Sequence, residues 1–195
     1  MARTEIRVSG LGGQGVILCA TIIGKAAAIY DGRHATMIQS FGPEARGSAC
    51  SAQVTIADEP VAYPYVTQPD VLVTMSPDAY EQFASQLKPG GILLYESELV
   101  KAGAKLPAGA RRYGIPATRY AEELGRKLVL NIVMVGFFAG ETGVISREAV
   151  EKAVLDSVPH GTEELNLRAM VRGYEHGLEA RKAQGSDVLQ ERATA

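Results

Sequence analysis

SGLGGQGV, residues 9–16, stands between a short segment with alternating apolar residues and a proline-free apolar segment, Val16–Tyr30. This order predicts a β-strand, a glycine turn and a buried α-helix. Gly10, Gly12 and Gly15 have the G-x-G-x-x-G spacing with which dinucleotide-binding folds approach a pyrophosphate. The N–H groups and the positive dipole end of the helix that follows such a turn favour an anion.

Four further segments predict strands. Ala35–Gln39 completes a βαβ unit with the first strand and helix. Ala49–Ile56 alternates between apolar and polar residues, which predicts a strand with one solvated or partner-covered face. Asp70–Met75 and Ile92–Tyr95 are continuous apolar runs typical of central parallel strands. We therefore predict an α/β fold with three layers, α/β/α, around a mostly parallel, Rossmann-like sheet.

The C-terminal part is predicted to be helical. Asn131–Gly140 is apolar on all sides, so we expect a helix that is buried, with another subunit as one candidate cover. Ser146 is a capping residue before the next helix, and Pro159-His160-Gly161 separates it from the last one. Residues 1–183 are expected to form a single domain and residues 184–195 a polar tail.

The composition of the chain argues against several classes of function. The 195 residues carry a net charge of −2, so we expect no nucleic-acid partner. Cys19 and Cys50 are the only cysteines, too few to ligate an iron–sulfur cluster, and no metal site is predicted. The three histidines form no visible triad, and no catalytic residue is predicted. The absence of a signal segment and of a membrane-length apolar run predicts a cytoplasmic protein without a membrane partner.

The glycine spacing alone does not establish a dinucleotide site. Such a site needs an acidic residue at the end of the second strand, and Gln39-Ser40 stand there instead. Asp31, the nearest acid, precedes that strand. A free-standing NAD(P) dehydrogenase or S-adenosylmethionine methyltransferase therefore remains an alternative only. A ligand-free structural turn is a second interpretation of the same glycines.

A second motif is more informative. In FGPEARGSAC, residues 41–50, a phenylalanine adjoins a rigid Gly-Pro turn, a charged pair follows, and then come small residues. This composition suits close approach by a protein or a bulky cofactor. Arg46 can bind a carboxylate or phosphate through two hydrogen bonds. The alternative is a surface ion pair between Arg46 and Glu44.

Together these motifs resemble the gamma subunit of 2-oxoacid:ferredoxin oxidoreductases, of the pyruvate/ketoisovalerate oxidoreductase catalytic-domain family. GLGGQGV and SFGPEARGSACSAQV are followed in the same order by DVLVTMSPDAYEQF, IPATRYAEELG and VPHGTEELNLRAMVRGYEHG. The resemblance extends from Ile6 to about Gly177. It is strongest toward 2-oxoglutarate synthase and related branched-chain or aromatic 2-oxoacid enzymes. Phenylglyoxylate and indolepyruvate oxidoreductases have similar subunits, so the substrate stays open.

The resemblance implies a share in a larger reaction of anaerobic metabolism. Such complexes decarboxylate a 2-oxoacid oxidatively, transfer the acyl group to coenzyme A and pass electrons to ferredoxin or a similar acceptor. It implies alpha, beta and ferredoxin-like delta subunits as partners. These would hold thiamine diphosphate, Mg and the [4Fe-4S] clusters, whereas this chain alone would bind no cofactor and be inactive.

Within that complex we expect two groups of site residues on this chain. The residues expected to face a cofactor or a partner are Gly12, Gly13, Gln14, Gly15 and Arg46. The residues expected at a subunit interface are Phe41, Gly42, Pro43, Glu44, Arg46 and Gly47.

Overall fold

The computed structural model describes residues 3–41, 49–103 and 105–184. Six strands form one sheet in the order β2-β3-β1-β4-β5-β6. The strands are β1 (Arg3–Leu11), β2 (His34–Phe41), β3 (Ala49–Ala57), β4 (Val71–Thr74), β5 (Ile92–Glu96) and β6 (Arg111–Ile115). The helices are α1 (Val16–Lys25), α2 (Pro77–Phe83), α3 (Ala117–Glu123), α4 (Leu130–Thr142), α5 (Arg147–Leu155) and α6 (Glu163–Gln184).

The predicted α/β class with a mostly parallel sheet is confirmed. β1 pairs in parallel with β4, β4 with β5, and β5 with β6. The exception is β3, which is antiparallel to both β1 and β2 and lies between them. The first strand and the second one along the chain are therefore not neighbours, although the βαβ interpretation treated them as one unit.

The two faces of β3 are both covered, so the prediction of a solvated or partner-covered face was wrong. Cys50, Val54 and Ile56 face the helices of the main core. Thr55, on the opposite face, is fully buried as well. The reason is the connection 58–70, which lies over this face and donates the Val66 N–H to Gln53 Oε1 at 2.6 Å.

An arginine anchors the same connection from β1. Arg7 is buried, and its Nη2 donates to the Val66 carbonyl oxygen at 2.7 Å. Its Nη1 donates to Gln86 Oε1, and the Phe83 ring lies 4.7 Å from its guanidinium carbon. All these partners are neutral, and burial lowers the pKa of Arg7. The covering connection is thus held by a desolvated cation.

Helix starts and ends follow the sequence signals. Ser76 and Ser146 accept hydrogen bonds from the Ala79 and Ala149 N–H groups at 3.2 and 3.1 Å, and so cap α2 and α5. α1 continues as a π-helical turn, Ala26–Tyr30, which ends before Gly32 at a φ of 66°. Only glycine adopts such a left-handed conformation without strain.

Helix α4 is buried along all of its thirteen residues, and other parts of this same chain cover it. No second subunit is needed to bury it, contrary to one of our expectations. α6 provides most of the cover and runs parallel to α4, with α1, α3 and α5 on the other sides. Among the described residues no helix is long and apolar enough to cross a membrane.

Glycines on both helices allow α4 and α6 to pack backbone against backbone. Gly136 and Gly140 of α4 face α6, while Gly173 and Gly177 of α6 face α4. A Cβ atom on any of the four would lie within 3.0 Å of a backbone atom on the opposite helix. Each helix thus carries a glycine pair four residues apart on its contact face, and this spacing fixes the close approach.

Candidate functional site

The candidate site lies where β1, β4, β5 and β6 end, at the carboxyl edge of the sheet. Gly10–Gly15, hereafter the glycine loop, connects β1 to α1 at this edge. The strand order changes direction at β1: β3 and β2 lie on one side of it within the sheet, and β4, β5 and β6 lie on the other side. In open α/β sheets this change of direction opens a crevice in which ligands bind.

The Gln14 side chain fills that crevice. The Leu11 N–H donates to Gln14 Oε1 at 2.7 Å, and Gln14 Nε2 donates to the Met75 carbonyl oxygen at 2.9 Å. A Cβ atom on Gly10 would lie 2.6 Å from Gln14 Oε1. The amide thereby joins the ends of β1 and β4 at this crevice.

Two glycines give the loop its shape. Gly13 has a φ of 96°, and a Cβ atom there would meet open space. Gly15 has a φ of 73° and lies against Asn131, whose Cγ would be 2.6 Å from an added Cβ. Asn131 Nδ2 also donates to the Gly15 carbonyl oxygen at 3.4 Å. The loop is therefore fixed at Gln14 and Gly15, while Gly13 faces outward.

The electrostatic environment of the loop favours an anion. Asn131 belongs to the first turn of α4, so the N-termini of α1 and α4 meet at Gly15. Neither helix has a side-chain cap or an acidic residue in its first turn. α2 and α5, in contrast, begin with a serine cap and carry Asp78 and Glu148 in the first turn. The positive dipole ends at the loop thus remain uncompensated by side chains.

The second predicted motif adjoins the same edge. The backbone of Phe41 ends β2, and Ala49, the first residue of β3, pairs with Leu11 in the glycine loop. The connection between them therefore leaves and re-enters the sheet at this edge. The predicted residues Gly42, Pro43, Glu44, Arg46 and Gly47 lie outside the described residues.

The structure explains why Asp31 does not serve a dinucleotide. It precedes β2 and so lies at the opposite edge of the sheet from the glycine loop. Its carboxylate accepts hydrogen bonds from the Ser146 N–H at 2.8 Å and from Ser146 Oγ at 2.6 Å. Asp31 thus joins the end of α1 to the start of α5 and is not available to a ribose.

Other chemically capable side chains have structural surroundings. His176 Nε2 donates to the Gly114 carbonyl oxygen at 3.1 Å, and its Nδ1 lies 3.1 Å from the Tyr120 hydroxyl oxygen. Cys19 and Cys50 are free, buried thiols, and burial raises the pKa of Cys19 to about 12. Within the described ranges no cluster of three or more potential metal ligands occurs.

Sequence reasoning missed three contributions to this edge. It predicted that Gln14 faces a cofactor or a partner, and did not foresee that its amide also joins the ends of β1 and β4. It took Asn131 as part of an apolar helix. It passed over Glu96, a fully buried carboxylate that accepts from the Leu99 N–H at 2.6 Å and the Thr118 N–H at 3.3 Å. The signal available for Asn131 was a polar residue inside an otherwise apolar run, and for Glu96 an acidic residue directly after one.

Comparison with known proteins places the chain in a family. The model of the family described as pyruvate ferredoxin/flavodoxin oxidoreductase matches residues 5–176. The 2-oxoglutarate synthase subunit KorC of Methanocaldococcus jannaschii is 48% identical over 174 residues, which cover 89% of this chain and 93% of that protein.

Two solved structures agree with this. The gamma subunit of a keto/oxoacid ferredoxin oxidoreductase from Geobacter sulfurreducens is 41% identical with a TM-score of 0.79, covering 90% of this chain and 99% of that one. The 2-oxoglutarate:ferredoxin oxidoreductase of Magnetococcus marinus, solved with 2-oxoglutarate, coenzyme A and succinyl-CoA bound, is 25% identical with a TM-score of 0.83. The match covers 92% of this chain but 32% of that longer one. This chain therefore belongs to the pyruvate ferredoxin/flavodoxin oxidoreductase family.

Proposed function

We propose that this chain is the gamma subunit of a 2-oxoacid:ferredoxin oxidoreductase whose substrate is 2-oxoglutarate. The observation that carries the proposal is its similarity, over nearly the whole of both chains, to a 2-oxoglutarate synthase subunit and to a separate gamma subunit. The complex would convert 2-oxoglutarate and coenzyme A to succinyl-CoA and carbon dioxide, with two electrons passed to ferredoxin.

The redox and thiamine cofactors belong to other subunits in this proposal. A [4Fe-4S] cluster requires about four cysteine thiolates, and this chain has two cysteines. Both are buried thiols with a raised pKa, which disfavours the thiolate that ligates iron. The residues of this chain therefore do not fit a cluster. We assign the clusters, thiamine diphosphate and its Mg to alpha, beta and ferredoxin-like delta partners.

In this proposal, the surface that the chain contributes to the complex is the carboxyl edge of its sheet. Two uncapped helix N-termini meet at the glycine loop, and Gly13 faces outward with open space around it. The chain enters the segment that contains Arg46 beside this loop. We propose that the loop and Arg46 together face the partner that holds coenzyme A or thiamine diphosphate, since both cofactors carry phosphate groups that suit such a surface.

The subunit assignment is tested by anaerobic purification through a tag on this chain in its native host. We expect partners that carry iron and thiamine diphosphate in a fixed ratio to this chain, and 2-oxoglutarate-dependent reduction of ferredoxin by the eluate. A preparation of this chain alone, free of iron and thiamine, would contradict the assignment. Activity with pyruvate but not with 2-oxoglutarate would contradict only the substrate.

The role of the edge is tested in the same purified complex with Arg46→Ala. We expect a KM for coenzyme A raised by about tenfold, as for loss of one charge-assisted contact, or reduced retention of the partner subunits. Arg147→Ala is the matched control, because Arg147 is an exposed arginine at the start of α5, which Asp31 joins to the opposite edge of the sheet. Unchanged assembly, turnover and KM in Arg46→Ala would remove Arg46 from the site.

A nucleotide-dependent enzyme is the alternative that the crevice disfavours. The Gln14 amide lies in the crevice, bonded to the ends of both strands, and the second strand ends without an acid. The relatives described above are oxidoreductase subunits. Titration calorimetry of the chain with NAD(P) and with S-adenosylmethionine should therefore give no heat of binding at micromolar concentrations.

A further inference from the structure

The chain has two asparagines, and their side chains are bound to different extents. Both are buried, with exposed fractions of 3% for Asn131 and 6% for Asn166. Asn166 Nδ2 donates to the Thr162 carbonyl oxygen at 2.8 Å and lies 3.0 Å from Thr162 Oγ1, so both of its amide hydrogens are used. Asn131 Nδ2 donates only to the Gly15 carbonyl oxygen, at 3.4 Å, within the part of the chain that the structure describes. Its second amide hydrogen and its Oδ1 have no partner there.

The packing of α4 does not require an asparagine at position 131. Residues 130–140 are otherwise apolar, and burying an amide with few hydrogen bonds costs free energy. The one bond of Asn131 is longer than the usual range of about 2.7–3.2 Å. Its acceptor does not depend on it, because the Gly15 carbonyl oxygen also accepts from the Cys19 N–H at 2.9 Å. A leucine, which has nearly the same shape, would therefore suit the fold equally well.

Asn131 lies beside other donors that lack acceptors. Its Nδ2 is the first atom that a Cβ atom on Gly15 would meet. The N–H groups of Gly13 and Gly15 donate to no acceptor among the described residues. Amide N–H groups at a helix N-terminus are common ligands of phosphate groups. Three such donors thus stand in or beside the glycine loop, and one of them belongs to a buried side chain.

The starts of the other helices show what α1 and α4 lack. Within the described ranges every other α-helix begins with a carboxylate in or bound to its first turn: Asp78 at α2, Glu96 at α3, Glu148 at α5 and Glu163 at α6. α1 and α4, whose N-termini meet at Gly15, have no acidic residue in the first turn. A bound anion would provide for these two helices the negative charge that a carboxylate provides for the others.

We propose that Asn131 binds a phosphate group through its free amide hydrogen, together with the N–H groups of Gly13 and Gly15. Asn131 is then a binding residue that α4 adds to the glycine loop, and its polarity serves the site and not the fold. The inference rests on the proposed function for the source of the phosphate, which is coenzyme A or thiamine diphosphate.

The site is tested directly by nuclear magnetic resonance of the full chain with isotope-labelled glycine, titrated with inorganic pyrophosphate. We expect the Gly13 and Gly15 amide signals to shift with a dissociation constant of about 1 mM. Asn131→Leu should raise this constant at least about tenfold, as for loss of one charge-assisted hydrogen bond. Urea unfolding should show that the same variant is as stable as wild type or more so.

Asn166→Leu is the matched control. Because the Asn166 amide is bound within α6, this variant should be less stable than wild type and should bind pyrophosphate with an unchanged constant. Glycine signals that do not shift in wild type up to about 20 mM pyrophosphate would overturn the proposal. So would an Asn131→Leu variant that is destabilised but binds pyrophosphate as wild type does.

Asn131→Asp provides a second variant in case the leucine variant does not fold. Aspartate has the same shape, and the helix N-termini favour its carboxylate, whereas the carboxylate repels a phosphate. We expect pyrophosphate binding to be lost, and binding with the wild-type constant would overturn the proposal.

Kinetics of the purified complex identify the source of the phosphate. In Asn131→Leu either the KM for coenzyme A or the thiamine diphosphate concentration for half-maximal activity should rise at least about tenfold, with kcat unchanged. If both constants stay at their wild-type values, the proposal is wrong. The pyrophosphate titration needs no partner subunit, so a failure of the proposed function is distinguishable from a failure of this inference.

Discussion

Gly177 of α6 lies so close to Phe137 of α4 that a Cβ atom on Gly177 would stand 2.7 Å from the Phe137 carbonyl oxygen. Real Cβ atoms do not approach a backbone oxygen so closely, so a side chain there must push the two helices apart. Because α4 is buried along its whole length, such a displacement disturbs the main core.

We therefore expect Gly177→Ala to lower the free energy of unfolding by about 2 kcal/mol, even though alanine favours a helix. Urea unfolding measures this. Gly24→Ala is the control within a helix: its new Cβ would meet only Val54 Cγ1 at 3.9 Å, so the helix propensity of alanine should stabilise the chain by about 0.5–1 kcal/mol. A stabilised Gly177→Ala would mean that α4 and α6 do not touch through their backbones.

Glu141 makes stability depend on pH. It is buried on α4, and its Oε2 has no hydrogen-bond partner among the described residues. Burial raises its pKa from 4.5 to about 7, against the opposing effects of a Tyr113 hydrogen bond and the charges of Arg111 and Arg181. Since the folded-state pKa is above the unfolded one, the carboxylate destabilises the fold progressively between about pH 4.5 and 7.

Glu141→Gln removes this titration. The variant should gain stability relative to wild type as the pH rises from 5 to 8, by up to about 3 kcal/mol, with the difference constant above the folded-state pKa. Thermal unfolding at several pH values measures the difference. Glu148→Gln, at an exposed position on α5, should show no such gain. If the difference in stability between Glu141→Gln and wild type stays constant from pH 5 to 8, the pKa of Glu141 is not raised by folding and the prediction is wrong.

Gln14 holds the glycine loop with both ends of its amide. In Gln14→Glu one carboxylate oxygen still accepts from Leu11, but the other faces the Met75 carbonyl oxygen without a proton to donate. We expect a loss of about 1–3 kcal/mol of stability and, in the assembled complex, a higher KM for coenzyme A. Gln68→Glu, an exposed substitution in the connection 58–70, is the control. Equal stability of the two variants would show that the Gln14 contacts contribute nothing.

Arg7 should control the order of the connection 58–70. Arg7→Met keeps an unbranched apolar stem but removes the donor to the Val66 carbonyl oxygen. We expect faster cleavage within residues 58–66 in limited proteolysis, because that segment has no helix or strand of its own. The exposed Arg126→Met should be cleaved at the wild-type rate. Cleavage of Arg7→Met at that same rate would show that other contacts hold the connection.

Local sequence patterns predicted the positions of the strands and helices well, but not which strands lie next to one another in the sheet. The glycine spacing, the two capping serines and the apolar runs identified most strands and helices within a few residues. Alternation in residues 49–56 also predicted a strand correctly. Nothing in its pattern shows that it enters between β1 and β2, because strand order depends on contacts distant in sequence. Its polar face is buried by hydrogen bonds from a connection whose path the sequence does not reveal.

The same limit applies to the site. Spacing identified the glycine loop, but nothing in the sequence shows which groups the Gln14 side chain contacts. Only the fold brings Met75 within 2.9 Å of it. Similarly, the apolar pattern of α4 predicted burial, and the glycines of α4 and α6 that explain how it is buried lie 37 positions apart in sequence, at Gly136 and Gly173.

The position of β3 between β1 and β2 affects how the chain folds during its synthesis. Both neighbours of β1 come later in the sequence, β3 at residues 49–57 and β4 at residues 71–74. During synthesis the first strand thus emerges with both of its edges open, and α1 alone cannot close either of them. β2 and β3 can form a hairpin early, but β1 must wait for them before it joins a sheet. The newly made N-terminal segment is therefore the part of this chain most exposed to wrong pairing, and the one that a chaperone would most need to protect.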